Sequence, residues 1–167
     1  HAITVLYNGM AIDLHTQLLE DRYSPLESWE KLYARRQTVH GTWGSVNTLS
    51  DEDSLHYMLA HGAKHHWCRL KWIMDLVWFI SASTNGDLKR YVTNLKKAGY
   101  SKVGSVGFGL ANSFLAPLKA EEVKPYLPRT LSLRWLYASY NQDLFRERSG
   151  IGAKAQNALR AMLGSDS

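Results

Sequence analysis

The sequence contains a single cysteine, Cys68, among its 167 residues. One cysteine excludes an internal disulfide framework and a zinc site with four cysteine ligands. Long apolar runs are also missing. The longest strongly apolar stretch, residues 72–80, contains Asp75 and is about half of what a bilayer requires. No basic segment followed by an apolar run stands at the N-terminus, so no signal peptide is visible. These absences predict a cytoplasmic protein with no membrane partner.

Positive charge is not concentrated in any one segment of the chain. Lysine and arginine number 20 and the acidic residues 15, which gives a net charge of +5 and a pI near 9.3. Only short basic clusters occur, such as Arg35-Arg36 and Lys96-Lys97. Because a nucleic-acid groove needs a clustered basic footprint, nucleic acid is a possible partner but not the favoured one. A chain of this length buries enough surface to fold without disulfide or metal staples.

The N-terminal region predicts a β-hairpin. Two apolar runs, residues 3–7 and 10–14, flank Asn8-Gly9, a pair suited to the positive φ angles of a type I′ turn. Two strands alone are marginally stable. Since the chain also starts at His1 without an initiator methionine, we expect this hairpin to be a remnant of a larger mixed sheet and the chain to be a piece of a longer protein.

Helical periodicity dominates the rest of the chain, so the predicted fold is mainly α. We divide it into residual sheet strands over residues 1–20 and a helical domain over residues 21–167. Ser50 is a predicted N-cap, with acidic residues in the turn that follows. Residues 67–81 are apolar nearly all round, which predicts a buried central helix. The other predicted helices are 24–36, one starting after Ser50, 87–98, 102–115, a short one near 121, 131–146 and 153–163.

Asp13 lies between Ile12 and Leu14 on the second predicted strand. Strand alternation places it on the face opposite to those two residues. Spacing alone favours an acid that simply faces water. The alternative is a carboxylate ligand for Mg²⁺ mounted on a rigid strand.

A histidine-rich segment holds the second candidate site. His61 and His65 are one helical turn apart, so both imidazoles can reach one zinc ion, as in a metal-dependent hydrolase. Gly62 stands where a metalloprotease needs its glutamate, and no third ligand is indicated. A second interpretation is a cationic wall for an anionic ligand, formed by His61, Lys64, His65 and Arg69. Ordinary polar-face packing is the third.

Four other patterns have structural interpretations. Asp75 falls within the predicted buried helix, so we expect a buried acid held in a structural ion pair. Residues 104–109 are rich in glycine but lack the lysine and the spacing of a phosphate loop, which favours close helix packing. Cys68 is predicted to be a packing residue within a helix. Residues 41–45 are predicted to form a loop, and no second β element is expected.

Two segments resemble one family. Residues 12–15, Ile-Asp-Leu-His, resemble a strand of the uncharacterised nucleotidyltransferases in the DNA polymerase β-like superfamily. Residues 59–76 resemble that family's helical signature, a His-Gly-x-Lys-His run followed by Trp, Arg-Leu, Trp and Asp. The resemblance implies a small mixed sheet followed by helices. It also implies transfer of a nucleotidyl group from a nucleoside triphosphate to an acceptor, here unknown, with Mg²⁺ held by three carboxylates.

Asp13 matches the third of those carboxylates. The Gly-Ser turn and the Asp-x-Asp strand that supply the other two have no credible copy here, because Gly44-Ser45 and residues 51–53 are too close together. The resemblance therefore implies the C-terminal part of such an enzyme, inactive by itself, with Mg²⁺ bound only in the full-length protein. It further implies that the cationic wall lines the nucleotide or the acceptor. The alternative function is a non-catalytic helical module that binds an acidic or nucleic-acid partner.

Overall fold

The computed structural model describes residues 2–15, 18, 28–65, 67–113 and 124–127. These residues form a mainly helical structure that follows an N-terminal hairpin in the sequence, which confirms the predicted fold class. The predicted helices at 131–146 and 153–163, the one near 121 and the start of the first helix lie outside the described residues. The elements are β1 (Ala2–Tyr7), β2 (Met10–His15), α1 (Trp29–Ala34), β3 (Gln37–Gly41), β4 (Gly44–Thr48), α2 (Asp51–Lys64), α3 (Leu70–Ala82), α4 (Asn85–Lys97), α5 (Ser101–Asn112) and a 3₁₀ turn (Lys124–Tyr126).

Strands β1 and β2 form the predicted hairpin. Asn8 and Gly9 have φ angles of 47° and 79°, as a type I′ turn requires. The antiparallel register pairs Ile3 with Leu14 and Tyr7 with Met10. Directly paired residues share a face and alternate residues along a strand do too, so Leu6, which pairs with Ala11, lies on one face and six large apolar side chains lie on the other. Each is between 41% and 62% exposed: Ile3, Val5, Tyr7, Met10, Ile12 and Leu14.

A second hairpin, β3–β4, contradicts the prediction of a loop over residues 41–45. Its strands are antiparallel, and the register runs from Gln37 paired with Thr48 to Gly41 paired with Gly44. Thr42 and Trp43 form the two-residue turn between the strands. Nearly all of its side chains are exposed. An exposed strand pair has little apolar alternation, which is why the hydrophobic pattern did not reveal it.

Helix α2 begins where the capping pattern predicts. The Ser50 hydroxyl accepts a hydrogen bond from the Asp53 N–H at 3.2 Å. Asp51, Glu52 and Asp53 occupy the first turn, where the helix dipole favours negative charge. Helix α4 begins in the same way two residues earlier than predicted, because the Thr84 hydroxyl accepts a hydrogen bond from the Asp87 N–H.

The hydrophobic core lies among α2, α3, α4 and α5, and α5 is the helix at its centre. Helix α5 contacts all three of the others and the 3₁₀ turn, and its residues 106–111 are buried without interruption. The prediction that residues 67–81 form the buried central helix is therefore wrong. Only Ile73, Leu76 and Ile80 of α3 are buried, and Trp78 is 73% exposed.

Within the described residues, no helix is long and apolar enough to cross a membrane.

Candidate functional site

The junction between α2 and α3 is organised by Trp67. This residue was predicted to lie within a helix, but it precedes α3 and has a φ of 50°, in the left-handed region. Its N–H donates a hydrogen bond to the Gly62 carbonyl at 2.8 Å. A bond between residues five positions apart is common at helix C-termini, as in the Schellman motif. Its indole is only 1% exposed and packs in the core. The side chain therefore fixes the path by which the chain leaves α2 and enters α3.

Two glycines make room for the Trp67 indole. A Cβ atom on Gly62 would lie 2.5 Å from Cζ3 of the ring, and one on Gly107 would lie 3.0 Å from Cζ2 and closer still to Leu59. A Cβ on Gly104 would similarly lie 2.7 Å from Leu95. The glycines of α5 thus allow close helix packing, as predicted, and residues 104–109 form a helix instead of a phosphate loop.

Four side chains come together on the surface of this junction, and we call His61, His65, Arg69 and Trp72 the junction cluster. The His61 and His65 ring centroids are 4.6 Å apart. Trp72 lies 5.4 Å from His61, edge to face, and 5.1 Å from His65. The Arg69 guanidinium carbon is 5.6 Å from the centre of the Trp72 ring, within cation–π range.

The junction cluster is positively charged and partly apolar. Partial burial, together with the nearby charges of Lys64 and Arg69, lowers the pKa of His65 below its ordinary value. His65 is therefore neutral at pH 7, and Lys64 and Arg69 carry the positive charge. The structure brings together His61, His65 and Arg69 of the predicted cationic wall, and it places Lys64 at the end of the same helix, α2.

Asp75 does not have the predicted environment. It lies on α3 one turn after Lys71, and both side chains are exposed. The prediction of a buried acid is wrong because α3 leaves one of its sides open to solvent. Cys68 is exposed as well and lies outside any helix, which contradicts its predicted packing role.

Asp13 lies in β2, where its backbone pairs with Thr4 of β1. Its side chain is outside the part of the chain that the structure describes. Its role as a metal ligand stays a prediction.

The histidines whose side chains the structure describes do not converge on a three-ligand metal centre. No group of three or more His, Cys, Asp or Glu side chains suited to a metal ion occurs in the described ranges. His40 contacts the Ser45 hydroxyl at 2.7 Å, and His56 donates its Nε2–H to the Tyr91 carbonyl at 3.2 Å. Neither is a third ligand for His61 and His65.

An ion pair between Arg35 and Asp53 was not predicted from the sequence. The guanidinium donates two hydrogen bonds to the carboxylate, each of 2.7 Å, and the Ser50 hydroxyl donates a third at 2.6 Å. Burial alone would raise the pKa of Asp53, but these hydrogen bonds and the Arg35 charge outweigh it, and the pKa is lowered. The two partners are 18 positions apart and lie on either side of the β3–β4 hairpin, so no local sequence signal links them.

The other two acids of this turn also have partners. Asp51 accepts a hydrogen bond from Gln37 at 2.8 Å, and Glu52 accepts one from Asn94 at 2.9 Å. This turn therefore braces α2 against its neighbours, and it does not form an Asp-x-Asp metal site. A polar cavity of about 430 Å³ adjoins it, lined by Arg35, Ser50, Glu52, His56, Asn94, Lys97 and Ala98.

The fold and the site define a mainly helical protein that carries a cationic, aromatic surface at one helix junction. Comparison with protein families identifies it further. The model of a family described as uncharacterised nucleotidyltransferase matches residues 3–116, about two thirds of the chain. The chain belongs to this family. No curated protein and no solved structure matches it.

Proposed function

We propose that this protein takes part in the transfer of a nucleotidyl group from a nucleoside triphosphate to an acceptor. The observation that carries the proposal is the family match, which spans both β2, with Asp13, and the α2–α3 junction. The proposal assigns the phosphates of the nucleotide to the junction cluster and to Lys64.

The chemistry of this surface supports the assignment. Arg69 offers a planar fork of N–H donors that matches phosphate oxygens, and Lys64 offers a compact positive charge. A neutral His65 keeps one ring N–H as a hydrogen-bond donor. Trp72 provides an apolar wall beside these groups, and contacts from both histidines and Arg69 hold its ring in place.

In the proposed reaction Asp13 is a ligand to Mg²⁺, which prefers carboxylate oxygens. Held there, Mg²⁺ would supply positive charge against the phosphates and the departing pyrophosphate. Elsewhere in the sequence we find no credible copy of the two other carboxylates that such chemistry requires. We therefore expect the 167-residue chain to bind the Mg²⁺–nucleotide complex but to transfer nothing by itself.

The test is a binding titration of the chain with each of the four Mg²⁺–nucleoside triphosphates by calorimetry. We expect Arg69→Gln and Lys64→Gln each to weaken binding about threefold to tenfold, because each removes one charge-assisted contact to phosphate. Lys89→Gln is the matched control, since Lys89 is exposed on α4 and carries the same charge change. Equal binding by the chain and by all three variants would contradict the assignment.

The alternative, a helical module that binds a polyanion, predicts a different result in the same assay. Affinity would then rise with polyanion length and would fall steeply with salt concentration, since counterion release dominates such binding. A mononucleotide would bind weakly or not at all, whichever base it carried.

A further inference from the structure

We propose that His61 and His65 together also bind one transition-metal ion of the Zn²⁺, Ni²⁺ and Cu²⁺ class. The two residues lie one turn apart on α2. Their ring centroids are 4.6 Å apart, and their ring planes are inclined by 53°. Imidazole nitrogens are good ligands for these ions, and pairs of histidines at this helical spacing are known to share one ion.

The ring separation already fits a shared ion. A metal–nitrogen bond of about 2.1 Å puts the ion about 3.2 Å from the centroid of each imidazole ring. Two such ligands at angles between a right angle and the tetrahedral value then have centroids about 4.5–5.2 Å apart. The observed 4.6 Å lies within this interval. The separation of the two rings is therefore the one that a shared ion requires.

Trp72 keeps the two rings in this arrangement. Its side chain lies edge-on to His61 at 5.4 Å and packs against His65 at 5.1 Å. A ligand pair held by packing loses less rotamer freedom when the ion binds, which favours affinity. Each imidazole uses one nitrogen for the ion and keeps the other for a neighbouring group.

The surrounding residues affect how tightly the site binds a metal ion and which ions it accepts. Lys64 and Arg69 are positively charged and repel a cation, which weakens metal binding at this site. The described residues supply no third protein ligand. Mg²⁺ prefers oxygen ligands and should not compete for this site.

Calorimetric titration of the 167-residue chain with NiCl₂, ZnCl₂ and CuCl₂ in a buffer that does not chelate metals tests the proposal. We expect one saturable site, with Cu²⁺ bound most tightly. His61→Gln and His65→Gln should each weaken binding by about tenfold or more, because the second imidazole no longer acts at high effective concentration. His40→Gln is the matched control, because His40 lies in β3 and contacts Ser45.

The absence of a saturable site, or equal affinity in the His61→Gln variant and the His40→Gln control, would overturn the proposal. Circular dichroism of each variant establishes that a lost site is not a lost fold. Displacement of bound Ni²⁺ by excess Mg²⁺ would also contradict it. The Mg²⁺–nucleotide titrations of Arg69→Gln are read separately, so failure of the metal site and failure of the proposed nucleotide site give different results.

Discussion

At the scale of single residues, Asp53 is a buried charge that is compensated by an ion pair and by hydrogen bonds. Its carboxylate is 2% exposed and has hydrogen-bond donors from Arg35 and Ser50. Removing one partner of such a pair leaves an uncompensated charge, which costs far more than losing an exposed pair. Asp53 therefore links the N-terminus of α2 to the segment that follows α1.

We expect Asp53→Asn to lower the free energy of unfolding by about 2–4 kcal/mol at pH 7, measured by urea denaturation. The matched control is Asp87→Asn, whose partner Arg90 is 61% exposed, and there the loss should stay below about 1 kcal/mol. Equal losses in the two variants would contradict a structural role for the Arg35–Asp53 pair.

The same residue predicts a pH dependence. Because folding lowers the pKa of Asp53 below its ordinary value of 3.8, the carboxylate stabilises the fold above that pH. That contribution is lost as the pH falls through the lower pKa of the folded state. The stability difference between the unmodified chain and Asp53→Asn should therefore shrink between pH 5 and pH 2, roughly the window that such a shift covers. A difference that stays constant over this range would contradict the assignment.

Single residues were predictable only where their role is local. Asn8-Gly9 and Ser50 act on backbone groups within a few positions, and both predictions are confirmed. Asp75 was placed wrongly because its burial depends on which side of α3 the other helices cover. Arg35 and Asp53 were missed since their contact depends on the path of the intervening chain.

At the scale of elements, the α2–α3 junction depends on a glycine and a tryptophan that fit one another. Gly62 lies in the last turn of α2, where its missing side chain leaves space for the Trp67 indole. The periodicity of residues 67–81 predicted one continuous helix. It could not reveal that Trp67 turns back into the core before α3 begins. A single residue in the left-handed conformation does not alter the periodic pattern of apolar residues in the sequence.

We expect Gly62→Ala to destabilise the protein by about 1–3 kcal/mol, because its Cβ overlaps a buried ring. This loss would occur although alanine favours a helix over glycine by about 1 kcal/mol. Gly86→Ala on α4 is the control, since its Cβ would meet only Thr84 Oγ1 at 3.9 Å, and it should be neutral or stabilising. The measurement is the thermal unfolding midpoint of both variants. A higher midpoint for Gly62→Ala than for the unmodified chain would contradict the packing of Trp67.

At the scale of the whole molecule, the helices form one core around α5, and the junction cluster lies at its surface. The junction cluster lies within residues 59–76, which resemble the family signature, and the family match confirms the resemblance. The geometry of the cluster could not be predicted from the sequence, because Trp72 contacts His61 and His65 only when α3 packs against α2. Several residues of the signature, including Gly62 and Trp67, serve the fold. Under the proposed function, the charged residues Lys64 and Arg69 contact the nucleotide phosphates.

The most direct test of this account is a map of the nucleotide site on the protein. Amide ¹H–¹⁵N shifts of the 167-residue chain would be followed during titration with the Mg²⁺–nucleoside triphosphate that binds most tightly. We predict that the largest changes fall on residues 61–72, around the α2–α3 junction, and that Arg69→Gln reduces them. Changes concentrated at the polar cavity beside α4, or no saturable change at all, would contradict the account.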